Sequence, residues 1–183
     1  MTIRPYRQTD FEDVRFVCQN SDGPCDWPQH TRDFVLTTYC DYYLEQEPYN
    51  CFVAANDEDR AIGYVICTED YGRFRPVFME KYAAKFPKDG WAYNGAKDST
   101  VLQEKYKAAY PAHLHIDILP EYQRQGLGHR LIDTLRGHLR NKGVPGVMLT
   151  VGASNKVGRS FYEKYGFLCL EENGDDVAYG IKV

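Results

Sequence analysis

The clearest hydrophobic pattern lies in the second half of the chain. Residues 113–119 alternate between polar and apolar, which predicts a β-strand with two different faces. One face carries Leu114, Ile116 and Ile118, and the opposite face carries His113, His115 and Asp117. Residues 126–142 follow with leucines at steps of four, Leu127, Leu131, Leu135 and Leu139, which predicts an amphipathic helix.

The same alternation of strand and helix continues to the end of the sequence. Residues 147–151 are typical of a buried strand. A helix capped by Ser154 or Asn155 is predicted to end at Tyr165, with Gly166 in the left-handed conformation beyond it. Residues 167–170 and 177–183 are predicted to be the last two strands.

The first half predicts further strands of the same sheet. A short strand at 3–6 precedes a helix that Thr9 is expected to cap, and a second helix is predicted from Pro28 to about Tyr43. Apolar runs at 51–55 and 62–67, separated by a polar turn, predict a hairpin. The order of elements predicts an α/β fold, with a mixed sheet of about six or seven strands flanked by helices.

Residues 71–109 have a weaker pattern. Phe78, Tyr82 and Phe86 lie four residues apart and predict a helix near 75–86, residues 90–95 read as a loop, and 99–106 as another helix. A stretch of this length without a clear strand often covers a functional site, so we expect it to form a lid over an acceptor site. No repeat or linker divides the chain, which predicts one domain over residues 1–183.

Composition and charge narrow the classes of function. The 183 residues carry a net charge of -4, which argues against nucleic-acid or anionic-membrane partners. The sequence contains no apolar run long enough for a membrane span and no apolar N-terminal segment. Six cysteines without a Cys-x-x-Cys pair favour reduced thiols in the cytoplasm and no zinc site. Residues 122–142 are basic, which fits either a small anionic ligand or a solvated helix face.

The candidate chemistry lies where the strand at 113–119 leads into the next helix. Gly126 and Gly128 open that helix, whose first amides have no intrahelical partner, so the turn can bind a diphosphate. Tight packing is the alternative explanation of the two glycines. Leu131 stands where a dinucleotide-binding fingerprint requires glycine, and no Gly-Lys-Ser/Thr of a phosphate-binding P-loop follows.

These residues resemble the GCN5-related N-acetyltransferase (GNAT) family. Gln123-x-x-Gly126-x-Gly128 matches its Gln/Arg-x-x-Gly-x-Gly/Ala signature, and Asn155 followed by Tyr162-x-x-x-Gly166-Phe167 matches its closing motif. The likeness covers nearly the whole chain except 71–109. More weakly, Tyr64-Val65 and residues 78–82 are similar to bacterial acetyltransferases related to the C-terminal domain of O-GlcNAcases.

The resemblance implies a cofactor site and an amine acceptor. It implies that acetyl-CoA is the acyl donor, that strands four and five splay apart, and that the acetyl group passes directly to a primary amine of a small molecule, a peptide or a lysine. The diphosphate would bind residues 124–129, which are Arg124, Gln125, Gly126, Leu127, Gly128 and His129. The backbone of Ile118 and Leu119 would pair with the pantetheine arm, and Asn155 would contact it.

The resemblance implies a catalytic role for Tyr162, whereas two residues of one strand face are candidates for the base. Tyr162 would protonate the departing thiolate, whereas Asp117 or His115 would take the proton of the amine. The pKa of histidine lies closer to neutral pH than that of aspartate. A carboxylate on an apolar strand is unusual, however, so Asp117 is the favoured base and His115 the second candidate. A non-catalytic CoA- or peptide-binding module and transfer of another acyl group stay open, as do monomer and homodimer.

Overall fold

Seven strands form one mixed sheet in the computed structural model, which describes residues 1–183. Their bounds are Thr2–Pro5 (β1), Phe52–Ala55 (β2), Ala61–Thr68 (β3), Ala112–Ile118 (β4), Gly146–Gly152 (β5), Leu168–Asn173 (β6) and Asp176–Lys182 (β7). The order across the sheet is β1-β2-β3-β4-β5-β7-β6, and the β4–β5 pair is parallel. The predicted fold class is therefore confirmed.

Eight α-helices surround this sheet. Their bounds are Phe11–Asn20 (α1), Gln29–Leu36 (α2), Tyr42–Gln46 (α3), Tyr71–Val77 (α4), Trp91–Asp98 (α5), Val101–Tyr106 (α6), Leu127–Asn141 (α7) and Lys156–Tyr165 (α8). A π-helical turn at Thr37–Asp41 joins α2 to α3, so the second predicted helix runs on to Gln46. None of the helices is both long and apolar enough to span a membrane.

The two faces of β4 are covered by different helices. The side chains of Leu127, Leu131 and Leu135 on α7 are buried, and a Cβ atom at Gly128 would lie 3.8 Å from Cδ1 of Ile118, which places α7 over the apolar face. Tyr43 of α3 reaches His113 and His115 on the opposite face. The predicted alternation along β4 thus separates an apolar layer from a polar one.

Strands β4 and β5 separate after a short paired segment. They pair only at Ala112–Val147 and His113–Met148. Both strands are buried over this segment and become half-exposed from His115 and Thr150 onward. Because each strand keeps its other neighbour, β3 or β7, a gap opens between them, as the resemblance implied.

Two local predictions are wrong. Residues 91–95 are not a loop but form the first part of helix α5, which follows Gly90 and in which Ala92 and Ala96 are buried one turn apart. Gly95 serves packing rather than a turn, because a Cβ atom there would meet the ring of Phe34 at 3.0 Å. Thr9 does not cap α1, which follows a 3-10 turn at Gln8–Asp10.

Residues 71–109 belong to the main core. A single cluster of 38 buried residues extends from Tyr6 to Tyr179 and includes Phe74, Phe78 and Tyr82 of this segment. The segment is thus anchored through its aromatic rings, with a π-helical turn at Phe78–Tyr82 after α4. Its role as a lid stays a prediction.

Candidate active site

The gap leaves one edge of β4 without a strand partner. Leu119 N–H donates to Ile62 O at 3.0 Å on the β3 side, and its carbonyl accepts from Tyr122 N at 2.9 Å. Main-chain groups of successive residues in a strand point to opposite edges, so those of Ile116 and Ile118 point into the gap. Of the two predicted backbone contacts, Ile118 therefore faces the gap, although its carbonyl accepts a hydrogen bond from Nε2 of Gln123 at 2.8 Å. Both backbone groups of Leu119 are paired within the protein.

Six consecutive amides lie free at the end of β4. The N–H groups of residues 124–129 donate to no group of the protein, and the first bond of α7 is Arg130 N to Gly126 O at 3.2 Å. Arg124 and Gly126 have φ values of 60° and 80°, in the left-handed region, which turns the chain sharply before the helix. Free amides at a helix start attract anions, so this turn fits a diphosphate.

The charges around this turn also suit an anion. Arg124, His129 and Arg130 are exposed and make no ion pair, whereas Arg159 binds Glu172 at 3.0 Å and Lys142 binds Glu69. Arg124 and Arg130 thus provide unpaired positive charges beside the free amides. Residues 41–70 contain eight acidic side chains, and five of these form ion pairs within the protein, for example Arg15–Asp41 and Arg4–Asp59.

Asp117 lies on the polar face of β4, opposite Tyr64 in the β3–β4 register. The Tyr64 hydroxyl donates a hydrogen bond to Oδ2 of Asp117. Burial raises the pKa of Asp117 to about 7, although the hydroxyls of Tyr64 and Ser21 act in the opposite direction. A carboxyl with a pKa near neutrality can take up and release a proton under physiological conditions.

The two strand histidines share a single partner. The Tyr43 hydroxyl lies 2.9 Å from Nε2 of His113 and 3.0 Å from Nε2 of His115. Burial lowers the pKa of His115 to about 4 and lowers that of His113 as well, so both rings are neutral at pH 7. His115 is thus poorly suited to hold a proton, which favours Asp117 as the base.

Tyr162 on α8 has a free hydroxyl. Its ring packs against Phe161, Phe167 and Tyr179 at centroid distances of 5.3, 5.7 and 5.9 Å, and its hydroxyl makes no hydrogen bond within the protein. Burial, followed by the nearby charge of Asp117, raises the pKa of Tyr162. The phenol therefore keeps its proton at neutral pH and can donate it.

Asn155 has a structural role at the start of the same helix. Its Oδ1 accepts the Gly158 N–H at 2.8 Å and so caps α8, which decides between the two predicted caps, Ser154 and Asn155. The amide nitrogen of Asn155 makes no hydrogen bond within the protein and stays available to a ligand. The predicted contact with the cofactor arm is compatible with this arrangement but stays a prediction.

A chain of aromatic rings leads from His115 to residues 71–109. Tyr39 lies 5.5 Å from His115, Phe34 lies 6.1 Å from Tyr39, and Trp91 lies 4.9 Å from Phe34, all as ring-centroid distances. Trp91 is 57% exposed at the outer end. These rings form one wall beside the polar face of β4.

The sequence did not predict the two tyrosines that bind the polar side chains of β4. Tyr43 lies in a helix 70 residues before His113, and Tyr64 lies 53 residues before Asp117. The only available signal was the type of residue, because a tyrosine on a buried strand or helix needs a partner for its hydroxyl. No group of three or more metal-ligating side chains is close enough to hold a metal ion.

Comparison with known proteins gives the family. The model of the acetyltransferase (GNAT) family matches residues 15–167. SsHAT, a solved structure, superimposes with a TM-score of 0.88 and 28% identity over 99% of this chain and 97% of that one. The narrower likeness to the O-GlcNAcase-attached domain stays a prediction.

Two N-acetyltransferases of known activity are similar to this chain in sequence. The [Ribosomal protein bS18]-alanine N-acetyltransferase of Escherichia coli strain K12 is 43% identical over 53 residues, which are 29% of this chain. The match spans only 36% of that bacterial protein. N-alpha-acetyltransferase 30 of Schizosaccharomyces pombe is 29% identical over 167 residues, covering 91% of this chain and 83% of the relative.

Proposed function

The chain belongs to the GNAT family of acetyltransferases, and we propose that it transfers an acetyl group directly from acetyl-CoA to a primary amine in a ternary complex. The observation that carries this proposal is the run of free amides at 124–129, which lies close to β4, since a Cβ atom at Gly128 would be 3.8 Å from Cδ1 of Ile118. The diphosphate would bind these amides together with Arg124. The pantetheine arm would lie along Ile116 and Ile118, with Asn155 beside it.

The residues around the gap can perform both proton transfers. Asp117 takes a proton from the amine, whose nitrogen then forms the bond to the acetyl carbon. Tyr162 gives its proton to the departing sulfur as the carbon–sulfur bond breaks. A β4 N–H that faces the gap, from Ile116 or Ile118, would hold the carbonyl oxygen, a contribution of about 3–4 kcal/mol in comparable sites. The protons balance, because the ammonium loses two: the first passes to Asp117, and the second, released once nitrogen has bonded to carbon, replaces the proton that Tyr162 gave to sulfur.

The pKa of Asp117 favours one class of amine. A carboxylate with a pKa of about 7 is well matched to the α-ammonium of a peptide, with a pKa near ~8. Removing a proton from a lysine ammonium, with a pKa of ~10.4, costs roughly 3 kcal/mol more. The names of both relatives point the same way, since one is an alanine N-acetyltransferase and the other an N-alpha-acetyltransferase. We therefore propose a peptide α-amine as the acceptor.

A matched pair of peptides tests the acceptor. One has a free N-terminus and no lysine, and the other has the same sequence with a blocked N-terminus and one lysine. We expect acetyl-CoA-dependent thiol release and a single added acetyl group, by mass spectrometry, only with the first. Acetylation of the lysine peptide alone would contradict the acceptor class. Binding of acetyl-CoA without transfer to these peptides or to polyamines would support the non-catalytic alternative, and propionyl- and succinyl-CoA test the acyl group.

A further inference from the structure

The Tyr43 hydroxyl is shared by two neutral imidazoles. It lies within hydrogen-bond distance of Nε2 of both His113 and His115, at 2.9 and 3.0 Å. A hydroxyl has one hydrogen, so it donates to one ring and accepts from the other. One histidine therefore carries its proton on Nε2 and the other does not.

The surroundings of the two Nδ1 atoms show which histidine is protonated on Nε2. Nδ1 of His113 is fully buried and has no partner. A buried N–H without a partner is rarer than an acceptor without one, so Nδ1 of His113 carries no hydrogen. His113 then donates from Nε2 to Tyr43, and Tyr43 donates to Nε2 of His115. The remaining proton of neutral His115 is on Nδ1, which has no partner within the protein on this half-exposed ring.

We propose that Tyr43 is a positioning residue that holds His115 in the Nδ1–H tautomer, so that His115 donates a hydrogen bond into the cleft. This inference rests on the proposed function, in which Asp117 accepts the proton of the amine. A peptide acceptor offers carbonyl oxygens that can accept this hydrogen bond from Nδ1–H. The buried hydrogen bond from Tyr43 thus affects the binding of the acceptor through His115.

A proton relay does not explain the same contacts. A relay through Tyr43 would have to deliver its proton beyond His113, but Nδ1 of His113 has no partner to receive it. Burial also lowers the pKa of both rings, which disfavours an extra proton on either. The chain of hydrogen bonds therefore ends at His113 and fixes the tautomer and orientation of the His115 ring.

Nitrogen NMR of the whole protein labelled at histidine reads the tautomers directly. We expect a protonated Nδ1 for His115 and a protonated Nε2 for His113, with the signals assigned from His113→Gln and His115→Gln variants. In Tyr43→Phe, His115 is expected to lose its single tautomer. Tyr42→Phe is the matched control, because its buried hydroxyl donates to Glu47 instead. A wild-type His115 protonated on Nε2 overturns the proposal, and so does an unchanged spectrum in Tyr43→Phe.

Kinetics give a second measurement. Tyr43→Phe is expected to raise KM for the peptide about 10-fold, with acetyl-CoA affinity within about 2-fold of wild type. His115→Asn, which keeps an amide donor near the position of Nδ1, is expected to retain a lower KM than His115→Gln. Equal KM values for these two variants contradict the donor role. If no amine is acetylated, the proposed function fails, while the NMR result still decides the tautomer and the role of Tyr43 in setting it.

Discussion

The Tyr64 hydroxyl on β3 donates a hydrogen bond to Asp117 on β4, and the two residues are direct partners in the strand register. The bond favours the charged carboxylate and partly offsets the effect of burial on the pKa of Asp117. The pair therefore sets the pH at which Asp117 can act as a base, which leads to the first prediction.

Wild-type kcat is expected to decrease as the pH drops below the Asp117 pKa of about 7, because protonated Asp117 cannot accept a proton. Tyr64→Phe removes a bond to the charged form, so it raises the pKa of Asp117 further. We expect the acidic limb of the pH profile of kcat to move upward by about 0.5–1 pH units. A limb near pH 4 that does not move would assign the base to His115, whose pKa lies at about 4.

Asp117→Asn should stabilise the protein at alkaline pH while abolishing most of its activity. The native carboxyl holds its proton up to about pH 7, whereas an ordinary carboxyl loses it near 3.8. Between these values the native state binds more protons than the unfolded state, so the free energy of unfolding falls as the pH rises. Asparagine cannot ionise and avoids this loss.

Urea unfolding measures the difference. We expect Asp117→Asn to gain about 4 kcal/mol over wild type near pH 8 and less than about 1 kcal/mol near pH 4. The comparison at each pH cancels the contribution of the buried histidines. If the difference in the free energy of unfolding is the same at both pH values, the pKa of Asp117 is not raised by burial.

Tyr162→Phe should lower kcat by about 100-fold or more and leave the affinity for acetyl-CoA nearly unchanged. The reason is that the free hydroxyl of Tyr162 supplies the proton for the departing sulfur, while its ring stays packed against Phe167. Tyr165→Phe, one turn along the same helix, removes a hydroxyl bonded to Asp133 and serves as the control. Steady-state kinetics and calorimetry separate the two effects, and equal kcat values for both variants would remove Tyr162 from the mechanism.

A pair of substitutions at Gly126 tests the anion site. Gly126 has a φ of 80°, which asparagine and aspartate both tolerate better than other side chains, and a Cβ atom there meets no atom within 4 Å. Gly126→Asp is expected to abolish acetyl-CoA binding by charge repulsion, whereas Gly126→Asn keeps binding within about 10-fold. Calorimetry decides the matter, and an unchanged affinity of the aspartate variant would refute the placement of the diphosphate.

Trp91→Ala tests the lid predicted at 71–109. The exposed ring of Trp91 lies at the outer end of the aromatic wall, so its loss should raise KM for the amine several-fold with little change in stability. Tyr49→Ala removes another ring, 52% exposed, from a turn outside this segment. If both variants leave KM unchanged, residues 71–109 do not contact the acceptor.

The sequence was most informative where structure is local. The alternation at 113–119 predicted both faces of β4, and the leucine spacing predicted α7, because side-chain direction repeats every two residues in a strand and every 3.6 in a helix. The left-handed Gly166 was also predicted correctly, and the cap at Asn155 was one of two predicted candidates, since both features depend on a few neighbouring residues. The helix at Trp91–Asp98 was missed because Gly95 faces Phe34, a residue distant in sequence.

The chemistry of the site depended on contacts between distant parts of the chain. The motifs by themselves identified Gly126, Gly128, Asp117 and Tyr162 as candidates. Only the tertiary structure brought Tyr64 to Asp117 and Tyr43 to the two histidines, and these contacts decide which group can act as a base. A pKa and a tautomer are properties of the surroundings of a side chain, because burial and hydrogen bonds set the relative free energies of its protonation states.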